Sequence, residues 1–363
     1  MIRKTLQVVA VTVLLIAAST TANAAWTIRD LGIFDGDSSY ASAINNSGQI
    51  VGIVGCCGGV VGHSYITGPN GIGNSSIAAY EVREVNDSGQ VVGTNGSKPF
   101  FTGPDGVGIT YLSTGNGEAN DINNSGQVVG NISGHAFITG PNGTGITDLG
   151  ELRANGINNS GQVTGAFFDG ALNHAFITDN DGVGIRDIGS LGGTSVGLKI
   201  NDSGQVTGLS TTEINGFSHA FVTGTNGSGM IDLGTMGGDM SVAYGINNLG
   251  EVVGYAGFRP ECFCSTDAFL YSHGMMVNLS RLEVFQSAGW TRIFAVDIND
   301  HGQIAGFGTI GGVQHAFLLS GADEEFFRTY VPVPVPIPEP QTYAMLLAGL
   351  ALLEVIARNR VLA

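Results

Sequence analysis

The chain has 363 residues, 58 of them Gly, only 12% charged, and a formal charge of −16 at pH 7. So few Lys and Arg residues argue against nucleic-acid binding, because phosphate contacts need cations. The Gly content argues for many short strands joined by tight turns and against a helical bundle.

In chain order, Arg3 and Lys4 precede an apolar stretch from Val8 to Ala18, and Ala22-Asn23-Ala24 then offers the small residues a signal peptidase reads. Residues 1–24 are therefore expected to be an export signal cut before Ala25, the apolar run being too short to span a bilayer. Next comes WTIRDLG (26–32), a strand-like segment with no unit before it.

Residues 44–52 read INNSGQIVG, a phrase that returns as VNDSGQVVG at 85, INNSGQVVG at 122, INNSGQVTG at 157, INDSGQVTG at 200, INNLGEVVG at 246 and INDHGQIAG at 298. Each copy reads as a hairpin. The first Asn can bond its own backbone two residues on, the internal Gly takes the left-handed position of the turn, and Ile or Val supplies the strands. Between copies recur a His-Ala-Phe strand (HSYITG at 63, KPFFTG at 98, HAFITG at 135, HAFITD at 174, HAFVTG at 219, DAFLYS at 267, HAFLLS at 315) and an Asp-Leu-Gly strand (ITYLS at 109, ITDLG at 146, IRDIG at 185, IDLG at 231, MVNLS at 276, with a degenerate copy near 75).

Each unit thus offers four strands. From Asn45 to Asn299 the spacing is 254 residues over six intervals, a mean of about 42, which suits four-stranded propeller blades. The seventh unit stops at Ser320 without an Asp-Leu-Gly strand, and WTIRDLG at the start supplies it. The fold class expected is all-β, a seven-bladed β-propeller closed by the N-terminal strand completing the last blade, which leaves no free sheet edge at the seam. A linear solenoid would want capping units instead.

The longest interval, 52 residues, holds GFRPECFCSTD (257–267) and RLEVFQSAGWTRIFAV (281–296). Phe258, Arg259, Phe263, Trp290 and Arg292 are aromatic and basic residues that the other units lack, and they form a candidate binding surface. The competing role for Trp290 is packing between blades. Cys56, Cys57, Cys262 and Cys264 lie in loops between second and third strands of units one and six, and in an oxidising compartment they are candidate disulfide cysteines of open connectivity.

His63, His135, His174, His219 and His315 occupy one slot of the repeat, so a single metal could not gather them, and each is expected to bond a neighbouring strand or turn. Asp179-Asn180-Asp181-Gly182 is expected to be a turn, because the Glu that an EF-hand loop requires is replaced by Ile188. No cofactor is expected, although the acidity would allow a weak Ca²⁺ site. No nucleophile elbow, HExxH helix or phosphate loop is present, so no catalytic residue is assigned and the protein is not expected to be an enzyme. Carboxylates clustered at one mouth of the channel would favour an enzyme, whereas a lining of repeated Ser, Thr, Asn and Gly would count against one.

After the repeats, VPVPVPIPEP (331–340) can only be an extended linker. It is followed by an apolar segment from Tyr343 to Ala357, broken by Glu354 and ending at Arg358 and Arg360. Pro338-Glu339-Pro340, Thr342, the Leu346–Leu350 core and the terminal Arg residues resemble the PEP-CTERM sorting signal that exosortases read. The tail departs from that pattern at Glu354 and in its short basic cluster. The repeats over 26–320 resemble the HAF family of extracellular repeats, which implies no particular activity. The organisation expected is a signal peptide (1–24), a propeller (25–330), a Pro-rich linker with the motif (331–341) and a hydrophobic helix with basic tail (342–363). The resemblance implies export to the cell surface or matrix, an exosortase-type partner and transient membrane anchoring through the C-terminal helix. The function expected is a structural or binding module toward extracellular polysaccharide or a matrix protein, with a propeller-fold polysaccharide lyase or glycosidase as the alternative.

Overall fold

Repeated hairpin chemistry folds into repeated sheets. In a computed structural model, described for residues 26–56, 60–212, 216–257 and 266–321, the chain forms seven four-stranded antiparallel sheets. The expected export signal, Cys57, Phe258, Arg259, Cys262, Phe263, Cys264, Pro338, Glu339, Pro340 and the C-terminal tail lie outside the described residues. Among the described residues no helix is long and apolar enough to cross a membrane.

The innermost strands of the blades are Ser38–Ile44, Glu81–Val85, Gly117–Ile122, Leu152–Ile157, Gly192–Ile200, Met240–Ile246 and Thr291–Ile298. In the seventh blade the outermost strand is Thr27–Gly32, paired with Val313–Ser320 in the register Thr27↔Ser320 to Asp30↔Phe317. The N-terminal strand therefore completes the last blade, as the seam in the repeats required. His315 Nδ1 lies 2.9 Å from Asp30 Oδ1 and links the two chain ends within the blade.

The hairpin phrase builds the hub of the ring. Asn45 Oδ1 accepts the backbone N–H of Ser47 and of Gln49, and Gly48 takes φ 75°. The Asn45 Nδ2 is then free to donate outward, to the backbone oxygen of Asn86 at 2.9 Å. The same bond runs from Asn86 to Asn123, Asn123 to Asn158, Asn158 to Asn201, Asn201 to Asn247, Asn247 to Asn299 and Asn299 back to Asn45. A second circle passes through the next residue of each copy, the backbone N–H of Asn46 meeting Asp87, then Asn124, Asn159, Asp202, Asn248, Asp300 and Asn46 again. Three Asp and four Asn alternate in that outer circle so that no two carboxylates are adjacent, and each Asp receives side-chain amides from Asn neighbours. Like charges are thereby kept apart.

The Phe of each His-Ala-Phe strand is the core between blades: Phe100, Phe137, Phe176, Phe221, Phe269 and Phe317, with Tyr65 in the same slot, are fully or almost fully buried. Every innermost strand also carries a β-bulge, at Ser42, Arg83, Asn120, Asn155, Leu198, Tyr244 and Val296. The bulge pushes a backbone oxygen toward the second strand, and the closing Gly of the phrase accommodates it. A Cβ on Gly130 would lie 2.0 Å from the Glu118 oxygen, and the other six copies show the same clash. That steric demand is why the phrase ends in Gly.

The longest interval packs inward. Its short helix Glu283–Ser287 buries Phe285, which meets Phe317 edge-on at 5.0 Å. Trp290, only 5% exposed, meets Phe317 at 5.5 Å and His315 at 6.2 Å. The insertion covers the seam of the seventh blade.

Candidate functional site

A β-bulge places two consecutive side chains on one side of its strand, and blades two, three, five and seven present two neighbouring residues to the central channel. The residue just before the apolar start of the phrase gives one ring: Ala43, Glu84, Asp121, Gly156, Lys199, Gly245 and Asp297. The bulged residues, one position earlier, give the wider ring above it and line a cleft of about 1360 Å³ at one mouth of the channel.

That cleft has two unlike walls. Blades six and seven supply Tyr244, Tyr255, Phe294 and Phe307. Tyr244 and Tyr255 lie 5.7 Å apart, Tyr255 and Phe294 6.0 Å, and Phe294 stacks on Phe307 at 5.0 Å, with Tyr40 edge-on to Phe307. Tyr244 is 39% exposed and turns its ring to the cleft. Burial, with Tyr255 beside it, raises the pKa of the Tyr244 phenol above its usual value. Blades two to four supply Glu81, Arg83, Thr94, Glu118, Asn120, Asn131, Arg153 and Asn155. Arg83 pairs with Glu81 at 3.0 Å, with Glu118, and with Asn120 Oδ1 at 2.6 Å. Its Nε and the Thr94 hydroxyl are buried without a protein partner. Arg153 is exposed in the same wall and has no ion pair among the described residues.

At the waist of the channel, Lys199 of the fifth blade reaches across to Glu84 of the second and stands 3.4 Å from Asp121 of the third. Asp121 and Asp297 are held by backbone N–H groups, Ile157 to Asp121 at 2.9 Å and Ile44 to Asp297 at 3.0 Å. Burial pushes the Glu84 carboxyl up to about 8, with Asp297 and Asp121 adding to the rise and Lys199 opposing it. Burial also raises Asp297. Burial works against charge on Lys199, but Asp121, Glu84 and Asp297 together overcome it and keep the ammonium protonated. Beyond this layer a second chamber of about 140 Å³ opens at the other mouth, lined by both Asn circles. Glu84 and Lys199 line both cavities.

The residues singled out in the sequence fall elsewhere. Trp290 is buried, so it offers no face for stacking and takes the packing role, a correction to its place in the candidate surface. Arg292 is exposed at the start of the innermost strand of blade seven, in a left-handed conformation at φ 51°. Phe258, Arg259 and Phe263, and of the cysteines all but Cys56, are outside the described residues, and Cys56 ends the second strand of blade one.

The repeated histidines do bond a neighbouring strand: His135, His174, His219 and His315 pair through Nδ1 with Asp148, Asp187, Asp232 and Asp30. His63 instead meets Asp35 through Nε2 at 3.2 Å. Asn180–Gly182 is a single tight turn with Asp181 left-handed, the slot that Asn70 or Asp105 fills in other blades. Among the described residues no group of three or more His, Cys, Asp and Glu is arranged to hold a metal ion.

The channel carries clustered carboxylates, Glu81, Glu84, Glu118, Asp121 and Asp297, and is not a plain lining of Ser, Thr, Asn and Gly. Sequence reasoning missed this layer. The signal was present in the repeat columns, where the two residues before each phrase vary in chemistry beside the recurring phrase itself.

No family model and no curated protein matches the chain. Among solved structures, an oligogalacturonate lyase in complex with manganese superposes with a TM-score of 0.53 at 8% identity, covering 82% of this chain and 91% of that one. The oligogalacturonate lyase of Vibrio parahaemolyticus gives 0.51 at 8% identity, over 82% and 94%. A chain of the mitotic checkpoint complex gives 0.51 at 9% identity, over 88% and 98%. Proteins of such different roles share the architecture with this chain, and what they establish for it is the seven-bladed propeller fold.

Proposed function

We propose that this is an exported saccharide-binding module of the cell surface or extracellular matrix, and that the cleft at the wide mouth of the channel holds the sugar. The observation that carries this reading is the pairing of an aromatic wall headed by Tyr244 with a wall of Glu, Asn and Arg in one cleft. Sugar rings present apolar C–H faces that stack on aromatic rings and equatorial hydroxyls that need both donors and acceptors. The export address rests on the N-terminal signal and on the PEP-CTERM-like tail, which would bring an exosortase-type enzyme to the C-terminus. The test is retention of the producing organism's own extracellular polysaccharide by the full-length protein, with and without Ca²⁺, scored together with release of new reducing ends. Retention supports the reading; loss of retention on adding a chelator would bring in Ca²⁺.

Cleavage of the bound chain is the second reading, and it is favoured by Glu84 at the floor of the cleft. A carboxyl with its pKa near 8 carries a proton at neutral pH and could donate it to a leaving oxygen. The neighbouring lyases of the same architecture act on oligogalacturonate. New reducing ends that vanish in Glu84→Gln would decide for the enzyme.

A further inference from the structure

We infer that the cleft is blind and takes the end of a sugar chain, with Lys199 and Glu84 meeting the terminal unit; the inference rests on the saccharide reading above. A seven-bladed ring is open along its axis unless something crosses it. Here Lys199 spans the channel from blade five to Glu84 in blade two, with Asp121 of blade three at 3.4 Å from the same nitrogen. Lys199 and Glu84 line both the wide cleft and the small chamber beyond, so their contact is the partition between the two cavities.

The other positions of that ring, Ala43, Gly156 and Gly245, send no long side chain across the channel. A Cβ on Gly245 would stand 2.8 Å from the Cα of Asp297, so this part of the ring is already closed to bulk. Past this crossing, the circle of seven Asn side chains lines the far chamber, each donating to the backbone oxygen of the next copy. A chain threading the propeller would have to break the Lys199–Glu84 contact. A chain lying across the mouth would meet the aromatic wall but leave the floor empty. A chain end entering along the axis meets all three surfaces: aromatic rings at the side, Arg83 and its carboxylate neighbours opposite, and the partly exposed Lys199 with Glu84 below.

The experiment compares the organism's extracellular polysaccharide intact and after mild acid hydrolysis to oligosaccharides, as competitors for retention of the full-length protein on the immobilised polymer. Hydrolysis multiplies chain ends at constant mass and leaves the sugar units unchanged. The expected result is that the hydrolysate competes at least tenfold better per unit mass, and that the Lys199→Met/Glu84→Gln double variant, checked for an unchanged unfolding midpoint, loses at least tenfold of that competition. Equal competition by mass, or full binding by a folded double variant, would overturn the chain-end inference while leaving saccharide binding in place. No retention of either form would remove the saccharide reading itself, and this inference with it. If the double variant fails to fold, the hydrolysate comparison on the wild-type protein still decides.

Discussion

Asn299 donates its side-chain Nδ2 to the backbone oxygen of Asn45 at 3.0 Å, across 254 residues of sequence. This bond closes the inner circle of seven. Each of these Asn side chains is buried and also serves its own turn, so replacing one leaves a neighbouring carbonyl and two backbone N–H groups short of a partner. Asn299→Ala is expected to cost about 1–3 kcal/mol, the usual penalty for an orphaned buried polar group. Asn158→Ala should cost a similar amount because it fills the equivalent place. Denaturant midpoints at constant slope check this, and a midpoint shift near zero for both would show that the circle adds nothing to stability.

The seam gives a second prediction. Removing residues 26–32 strips the outer strand from blade seven and with it the outer partner of Ala316–Ser320. The cooperative thermal transition of the full chain should be replaced by earlier, broader unfolding and self-association through the bared edge. Asp30→Asn, which keeps the strand but removes its charge beside His315, should cost less than about 1 kcal/mol, as exposed ion pairs do. A truncated protein that melts as the full one does would mean that closure is not made by this strand.

Glu84 sets a pH dependence whose sign can be worked out. Its folded-state pKa is pushed up to about 8 from an ordinary value of 4.5, so between those values the folded protein holds a proton that the unfolded chain has released. Stability therefore falls as pH rises through that window, by at most about 1.4 kcal/mol per pH unit for one group. Glu84→Gln should flatten that part of the stability profile, measured by urea unfolding between pH 5 and 8. Lys199→Ala takes the cation from the buried Asp121 and Asp297 carboxylates, and the expected cost is about 3–5 kcal/mol.

Trp290 separates packing from binding. Trp290→Ala should destabilise the protein by about 3–5 kcal/mol through loss of its contacts with Phe285, Phe317 and His315. Protein that remains folded should retain polysaccharide as the wild type does. Loss of retention at temperatures where the variant is folded would return Trp290 to the binding surface.

The architecture was legible because repetition reports folding directly. Seven INxxGQ-type phrases, the His-Ala-Phe and Asp-Leu-Gly strands and the orphan WTIRDLG segment together demand a closed ring, and the sheets follow that division, N-terminal strand included. The cleft was not legible, for two physical reasons. Which strand of a blade lines the channel depends on how the sheets pack around the axis, and the bulge that turns residues such as Arg83 and Glu84 toward the channel together is a tertiary feature with no mark in periodicity. The one long insertion carries aromatic and basic residues that are not repeated and so resemble a surface, yet its Trp290 and Phe285 bury the seam. The proposed site lies in the variable columns of the repeat, at Arg83, Glu84, Lys199 and Tyr244, where one blade differs from the next.

The measurement that tests the saccharide cleft most directly is retention of the organism's extracellular polysaccharide by wild-type protein and by Tyr244→Ala, with unfolding midpoints recorded alongside. Tyr244 is partly exposed and heads the aromatic wall. Its loss is expected to weaken retention about tenfold or more, equivalent to about 1.4 kcal/mol, with little change in stability. Undiminished retention by a folded Tyr244→Ala protein would contradict the account and move the binding site away from the channel.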